Sequence, residues 1–270
     1  MKPDDSSLTA SEYVAIHRAA TDLLNKASAW DRLPTPVPDL LGAAKLRVAP
    51  MSAFDPRSLM RHAREFGERA ASLIKSAIEK VRGIFDVQGN LIHVDDTVAE
   101  SKQNFLKLHE AGHKHIPHQS KLFCWIQDCD KSLSPDVSDQ FEREANIFAS
   151  VVLFQDGRFA EMAADSAFSI KVPLALSKKF GASAYASMRE YVRRNERACA
   201  VIVLNPLEMC PVLGIRSELR RIELSPLFHK RFGELNLPDH VDRLSPLAEF
   251  IPLGGKRMSR PGTLPLEDKN

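Results

Sequence analysis

The sequence predicts an α+β chain: a mainly helical core with a small sheet, followed by a C-terminal α/β region. Helical stretches are read over residues 9–27, 56–82, 98–116 and 136–154, the clearest of them with apolar residues at helical spacing. Between the second and third stretches the period drops to two in GIFDVQGNLIHVDD (83–96), around a Gln-Gly-Asn turn, as in a hairpin. Beyond residue 157 come two short helical stretches and then ACAVIVLNP (198–206), an apolar run expected to be a buried strand.

Each element has its own signal. In TASEYVAIHRAATDLLNKA (9–27), Tyr13, Ile16, Ala20, Leu23 and Leu24 share a face, and Thr9 or Ser11 can cap the start. The proline cluster LPTPVPDL (33–40) ends that helix, and LLGAAKLRVAP leads from a short helix into a strand. The helix over 56–82 opens on Pro56, which suits a first helical position. In the helix over 98–116, Phe105, Leu106 and Leu108 are expected to point inward, and Pro117 stops it. The helix over 136–154 carries an apolar stripe of Phe141, Ile147, Phe148, Val151 and Val152. Residues 173–195 read as two short helices joined at Gly181-Ala182-Ser183, and the tail beyond about 208 is rich in proline and glycine with a possible strand at PVLGI. The expected organisation is an N-terminal helix (1–32), a core (33–157) with a helical insertion (56–82), a helical segment resembling a helix-turn-helix (158–197), and a C-terminal region (198–270) with a disordered tail.

Composition narrows the function class. The chain has 270 residues, enough for a sizeable core, with 44% hydrophobic and 27% charged residues and a net charge of +2, which points to no polyanionic partner. No run of eighteen apolar residues suggests a membrane span, and the N-terminus MKPDDSSLTASEY has no apolar signal-like stretch, so a cytoplasmic protein is expected. Four cysteines are present, Cys124, Cys129, Cys199 and Cys210, and a reducing cytoplasm disfavours disulfides; the C-x4-C pair Cys124/Cys129 beside Trp125 is read as free thiols, the alternative being a zinc knuckle with the nearby His115 and His118.

The chemistry lies at His109-Glu110-Ala111-Gly112-His113, an H-E-x-x-H sequence on a helix. Residues i and i+4 sit one turn apart on one face, so both imidazoles can reach a zinc ion at about 2.0–2.1 Å. Glu110, rotated about 100° from His109, can stand beside the open position and accept a proton from water held by the ion. Glycine at 112 permits close approach of another backbone or a ligand. A third ligand is required. The metzincin continuation is excluded because Ile116 and Gln119 stand where glycine and histidine would be needed. His115 falls on the far side of the helix and His118 follows Pro117, so both are expected at the surface. The helix over 136–154 offers Glu142 and Glu144, rotated about 200° from each other, so one alone can face the ion. Glu142 is preferred over Glu144, because Asn146 lies one turn later on its face.

These stretches resemble the ImmA/IrrE metallopeptidases. GNLIHVDDTVAESKQNFLKLHEAGHKHIPH is similar to the family's core, in which a short strand, a polar helix start, a phenylalanine and H-E-x-G-H recur together. FEREANIFASVVLF is similar to its second motif, LPTPVPDLLGAAKLRV to its opening segment, and 173–195 to the helical piece that often follows. The resemblance covers about 33–195, with specific motifs at 105–118 and 141–154. It implies a zincin-like fold, metal ligands His109, His113 and Glu142, a catalytic Glu110, and a Zn2+ cofactor. It also implies a regulator that cuts a partner protein such as a transcriptional repressor, in mobile-element control or a stress response. His115, His118 and Tyr185 are candidate oxyanion donors. Three departures stand out: Phe154-Gln155-Asp156 where the family often has proline, the insertion over 56–82, and no DNA-binding helix-turn-helix ahead of the core. The competing class is a non-catalytic regulatory or antitoxin-like binding module that keeps the peptidase fold.

The C-terminal region carries a small positive balance. Arg189, Arg193, Arg194 and Arg197 fall at helical spacing, with Arg220 and Arg221 further on. A nucleic-acid surface shows a concentrated basic stripe, whereas this spacing reads as a solvated helix face. Residues 198–270 are therefore expected to sense a signal or dock a protein substrate, with no membrane and no nucleic-acid partner.

Overall fold

The structure, a computed structural model of the chain, describes residues 8–49, 83–86, 90–95, 97–122, 135–210, 214–245 and 247–248. The helix expected over 56–82, the Cys124/Cys129 pair and the tail beyond 248 lie outside the described residues. The chain divides into two compact units, Met1–Ser187 and Met188–Asn270.

The first unit opens with α1 (Ala10–Lys26). Thr9 caps it: its hydroxyl oxygen accepts from the Glu12 backbone N–H while the Glu12 carboxylate accepts from the Thr9 backbone, a reciprocal capping box. Ile16, Ala19, Ala20, Leu23 and Leu24 form the buried face. Tyr13, expected on that face, is instead 38% exposed and stacks on His17 with ring centroids 4.3 Å apart. After α2 (Val37–Ala43), the strands β1 (Arg47–Val48), β2 (Gly83–Asp86) and β3 (Leu91–Val94) form a sheet in the order β1-β3-β2. β2 runs antiparallel to β3 and β1 parallel to it. Asn90 takes a left-handed φ of 50° at the end of the expected turn, a conformation asparagine tolerates. Ile92 and Val94 are buried, in keeping with the period of two.

Two helices carry the centre of this unit, α3 (Glu100–His115) and α4 (Pro135–Leu153), packed against each other, with α1 on α4. In α3, Leu108 is buried as expected, but Phe105 and Leu106 are only half-buried. The deeply buried stretch is Leu108–His113, because this turn, and not the apolar one before it, faces α4. On α4, Phe141, Ala145, Ile147, Phe148, Val151 and Val152 are all buried. Pro117 both ends α3 and opens a further helical turn over 117–122, where its missing N–H costs nothing.

The closest approach of α3 to α4 is made possible by Gly112. A Cβ there would stand 3.1 Å from Phe148 Cδ1 and 3.3 Å from Ala145 Cα. Gly112→Ala should therefore push the helices apart at a cost of about 1–3 kcal/mol from overpacking. The higher helix propensity of alanine offsets about 1 kcal/mol of that. A lower denaturation midpoint is the expected result; an unchanged one would mean that Phe148 yields freely.

The end of α4 accounts for one departure from the family pattern. Gln155 and Asp156 take left-handed φ values of 51° and 52°. The buried Gln155 amide accepts from Asp31 N–H at 2.8 Å and donates to Arg32 O at 2.9 Å. Thr35 Oγ donates to Leu153 O at 2.7 Å. Gln155 thus clamps the proline-rich segment to the helix end, which proline at this position would not do. Next come α5 (Arg158–Ala164) and α6 (Lys171–Phe180). Phe154, Phe159 and Phe180 pack with ring centroids 4.9–5.9 Å apart and are fully buried, so these helices are held by core contacts. α6 ends at Gly181, φ 68°, whose carbonyl accepts from Asn104 Nδ2 at 3.0 Å. α7 (Ala184–Arg193) crosses the boundary between the units.

The second unit is an antiparallel sheet in the order β4-β6-β5, formed by β4 (Ala200–Leu204), β5 (Glu208–Cys210) and β6 (Gly214–Leu224), with β7 (His240–Val241) also pairing with β6 and α8 (Pro226–Phe232) following β6. β4 was expected to be buried; its residues are half-buried or exposed, because β4 stands at the edge of the sheet and β6 takes the centre. The arginine series is not the expected solvated face either. Glu223 on β6, 5% exposed, is bonded by Arg189 Nε, by Arg193 Nε at 3.2 Å and by Arg221 Nη1 at 3.2 Å. Arg194 pairs with Glu190 at 3.3 Å. Burial pushes the Glu223 carboxyl up, but Arg193 and Arg189 outweigh it and hold it below its ordinary range. No helix among the described residues is long and apolar enough to cross a membrane.

Candidate metal centre

His109 and His113 project from the buried turn of α3, and Glu142 reaches them from α4. Their ring planes stand at 86°, with centroids 4.8 Å apart, and their Nε2 atoms are 3.2 Å apart. Glu142 Oε2 lies 3.2 Å from His109 Nε2, and Oε1 lies 3.5 Å from His113 Nε2. Two ring nitrogens and a carboxylate so close together repel unless a cation, proton or metal, sits among them. A tetrahedral zinc ion with bonds of about 2.0–2.1 Å sets its donors about 3.3–3.4 Å apart. The two imidazole nitrogens stand near that edge length and each lies near it from one of the two Glu142 oxygens, so these residues could hold such an ion.

The far ring nitrogens are held as well. His109 Nδ1 is 3.2 Å from Asn146 Oδ1, and His113 Nδ1 is 2.7 Å from Gln119 Oε1. Amide oxygens accept, so each Nδ1 carries a hydrogen and each Nε2 is left to the cluster, to offer a lone pair to a metal or, when a proton takes the metal's place, a hydrogen bond to Glu142. The imidazoles are buried, whereas the Glu142 side chain is 57% exposed and forms the solvent side of the site. Burial raises the Glu142 carboxyl, but hydrogen bonds from His109 and His113 prevail and hold it far below the usual carboxylate range. For His113 burial favours the neutral ring, yet Glu142, Glu110 and Gln119 together raise it above its ordinary value. Glu110 is itself buried on the same turn, near enough for its charge to act on His113.

Of the two carboxylates on α4 left open by sequence, the structure brings Glu142 to the imidazoles and turns Glu144 away. Asn146, expected to support Glu142, meets His109 instead. His115, expected at the surface, has a side chain only 14% exposed and lies 3.0 Å from Asp22 on α1. Burial, outweighing Asp22, keeps that imidazole below its ordinary value. His118 is 49% exposed and bonded to Glu144, and Tyr185 is half-buried on α7. Sequence reasoning missed Gln119 as a partner of His113. The signal was available: a polar residue in the first turn of a helix restarting at Pro117, where the chain folds back towards α3.

A helix with H-E-x-x-H imidazoles, backed by a carboxylate from a second helix and a small mixed sheet, is the arrangement expected of a zincin-like fold. Residues 66–187 match the family model for the IrrE N-terminal-like domain, Peptidase M78. The match supports ImmA/IrrE membership for that part of the chain, and with it a metallopeptidase-type function. It begins inside the segment expected to be an insertion over 56–82. No curated protein matches the chain closely enough to count as a relative.

Proposed function

We propose that His109, His113 and Glu142 hold a zinc ion and that the protein is an endopeptidase cleaving a protein partner, such as a transcriptional repressor. The observation that supports this most is that the two imidazole nitrogens lie 3.2 Å apart and each meets one oxygen of Glu142, at 3.2 and 3.5 Å, across two helices. Two imidazoles and a carboxylate suit zinc and leave one position open for chemistry. An ion held there would supply Lewis acidity to the scissile carbonyl and to the attacking water. Glu110 accepts the proton from that water and delivers it to the leaving amine. Asn146 and Gln119 keep the rings turned so that both Nε2 lone pairs face the same point. Glu142 contributes the negative charge that offsets part of the ion's charge. Residues 198–270 supply recognition of the partner, in gene regulation during a stress response or in the control of a mobile element.

Metal content tests the ligand set directly. His109→Ala and His113→Ala should each lose stoichiometric zinc while the chain stays folded, as judged by circular dichroism. A folded variant that keeps one zinc per chain would remove that histidine from the site. Co-expression with a candidate repressor, read as a cleaved product that disappears in the same variants, tests the activity.

A further inference from the structure

We infer that Glu144 and Gln119 form a positioning pair that sets the tautomer of His113 and thereby the metal affinity of the site. The inference rests on the zinc-site reading above and goes beyond it to residues that touch no ion.

Gln119 is completely buried, and its amide is used in full. Its Nε2 donates to Glu144 Oε2 at 2.5 Å and to Phe141 O at 3.2 Å. An amide nitrogen has two hydrogens, so both are committed, and the oxygen is left to face His113 Nδ1 at 2.7 Å. Turning the amide over would point its oxygen at two acceptors, the Glu144 carboxyl and the Phe141 carbonyl. That arrangement leaves buried polar atoms unsatisfied at a cost of about 1–3 kcal/mol or more. Gln119 therefore has one orientation, and in it only a hydrogen on Nδ1 completes the bond. Nε2 of His113 then keeps its lone pair on the side of His109 and Glu142.

Glu144 is what makes this orientation single-valued. Its side chain is 1% exposed, and its oxygens are taken up by Gln119, by His118 Nε2 at 2.6 Å and by Gln140 Nε2 at 3.2 Å. Gln140 in turn donates to Glu12 on α1 at 2.7 Å. A carboxyl group buried this fully and bonded from three side chains is fixed in place. The two glutamates of FEREAN thus divide the work by their rotation on α4: Glu142 faces the imidazoles, and Glu144 faces the residue that orients one of them.

The test is a double-mutant cycle read as zinc affinity, by competition with a chelator on chains shown to be folded. Glu144→Ala and Gln119→Leu should each weaken zinc binding by about 10–100-fold, the range seen when groups bonded to ligating histidines are removed. Because both act through one hydrogen bond to His113, the losses should not add: Glu144→Ala should do little more in the Gln119→Leu background. Glu144→Gln, which keeps an oxygen for Gln119 to donate to, should recover most of the affinity. The visible spectrum of the cobalt-loaded chain should change in the two weakened variants, since the donor angle at His113 is released. Folded Glu144→Ala with wild-type affinity, or losses that simply add, would overturn the pairing while leaving the zinc site standing. Should Glu144→Ala fail to fold, Gln119→Leu with unchanged affinity would overturn it alone. A wild-type chain that takes up no zinc would remove the site itself and the pairing with it.

Discussion

Replacing Glu110 with glutamine should leave zinc uptake intact and slow cleavage of the partner protein by about 10²–10⁴-fold, the contribution typical of a positioned proton acceptor. The reasoning starts from the donor geometry. The atoms that gather within bonding reach of one point belong to His109, His113 and Glu142, and Glu110 is not needed to complete that set. Glutamine has nearly the same shape, so the buried turn of α3 should tolerate it, but an amide cannot take a proton from water. The two readouts move independently. Metal content measured by emission spectroscopy should stay at one ion per chain, while the cleaved product fades. A variant that cleaves at the wild-type rate would strip Glu110 of its role. A wild-type chain that binds zinc and cuts no neighbouring repressor would favour the non-catalytic binding module.

Glu223→Ala should destabilise the unit Met188–Asn270 by about 3–5 kcal/mol, because removing one partner from a buried ion-pair network leaves the other charges unsatisfied. Glu223 is 5% exposed, and the side chains of Arg189, Arg193 and Arg221 are only 19–23% exposed, so solvent screens the loss little. The pH dependence follows in sign. The folded carboxyl titrates below its ordinary value near 4.5. Its stabilising contribution is therefore fully present above that pH and is lost as the pH falls through the lower folded value. With two units in one chain, a single melting temperature is not a clean measure. Amide hydrogen exchange along β6 is better: protection should fall in Glu223→Ala at neutral pH, and in the wild type as the pH drops below about 4.5. Unchanged β6 protection in the variant would show that the arginines find other partners.

The legible parts of this protein were those governed by a local period or a short spacing. The capped helix at Thr9, the alternation through Ile92 and Val94, the α4 stripe and the i, i+4 histidines all follow from rules that act within one or two turns. What stayed hidden depends on contacts between distant segments. Glu142 and Glu144 have equivalent chemistry on the same helix, and what separates them is which other helix each one faces. Gln119 could be assigned a partner only once the chain was seen to fold back at Pro117. The arginine series on α7 has the spacing of a solvated face, and nothing local reveals that a glutamate thirty residues away, on a central strand, lies beneath it. β4 read as buried because its composition is apolar, but strand order decides burial, and the pairing partners of β6 are not written in β4.

The unequal burial of the three donors has a kinetic consequence. The imidazoles are locked in the interior by their amide partners, whereas the Glu142 side chain stands 57% exposed on a single helix. The two imidazoles would offer an ion fixed nitrogens, and the exposed Glu142 would be the donor with most freedom to turn towards it or away. Freeing the carboxylate would need only its own bond to the ion to break and an exposed side chain to turn, whereas freeing the imidazoles would also disturb their buried amide partners.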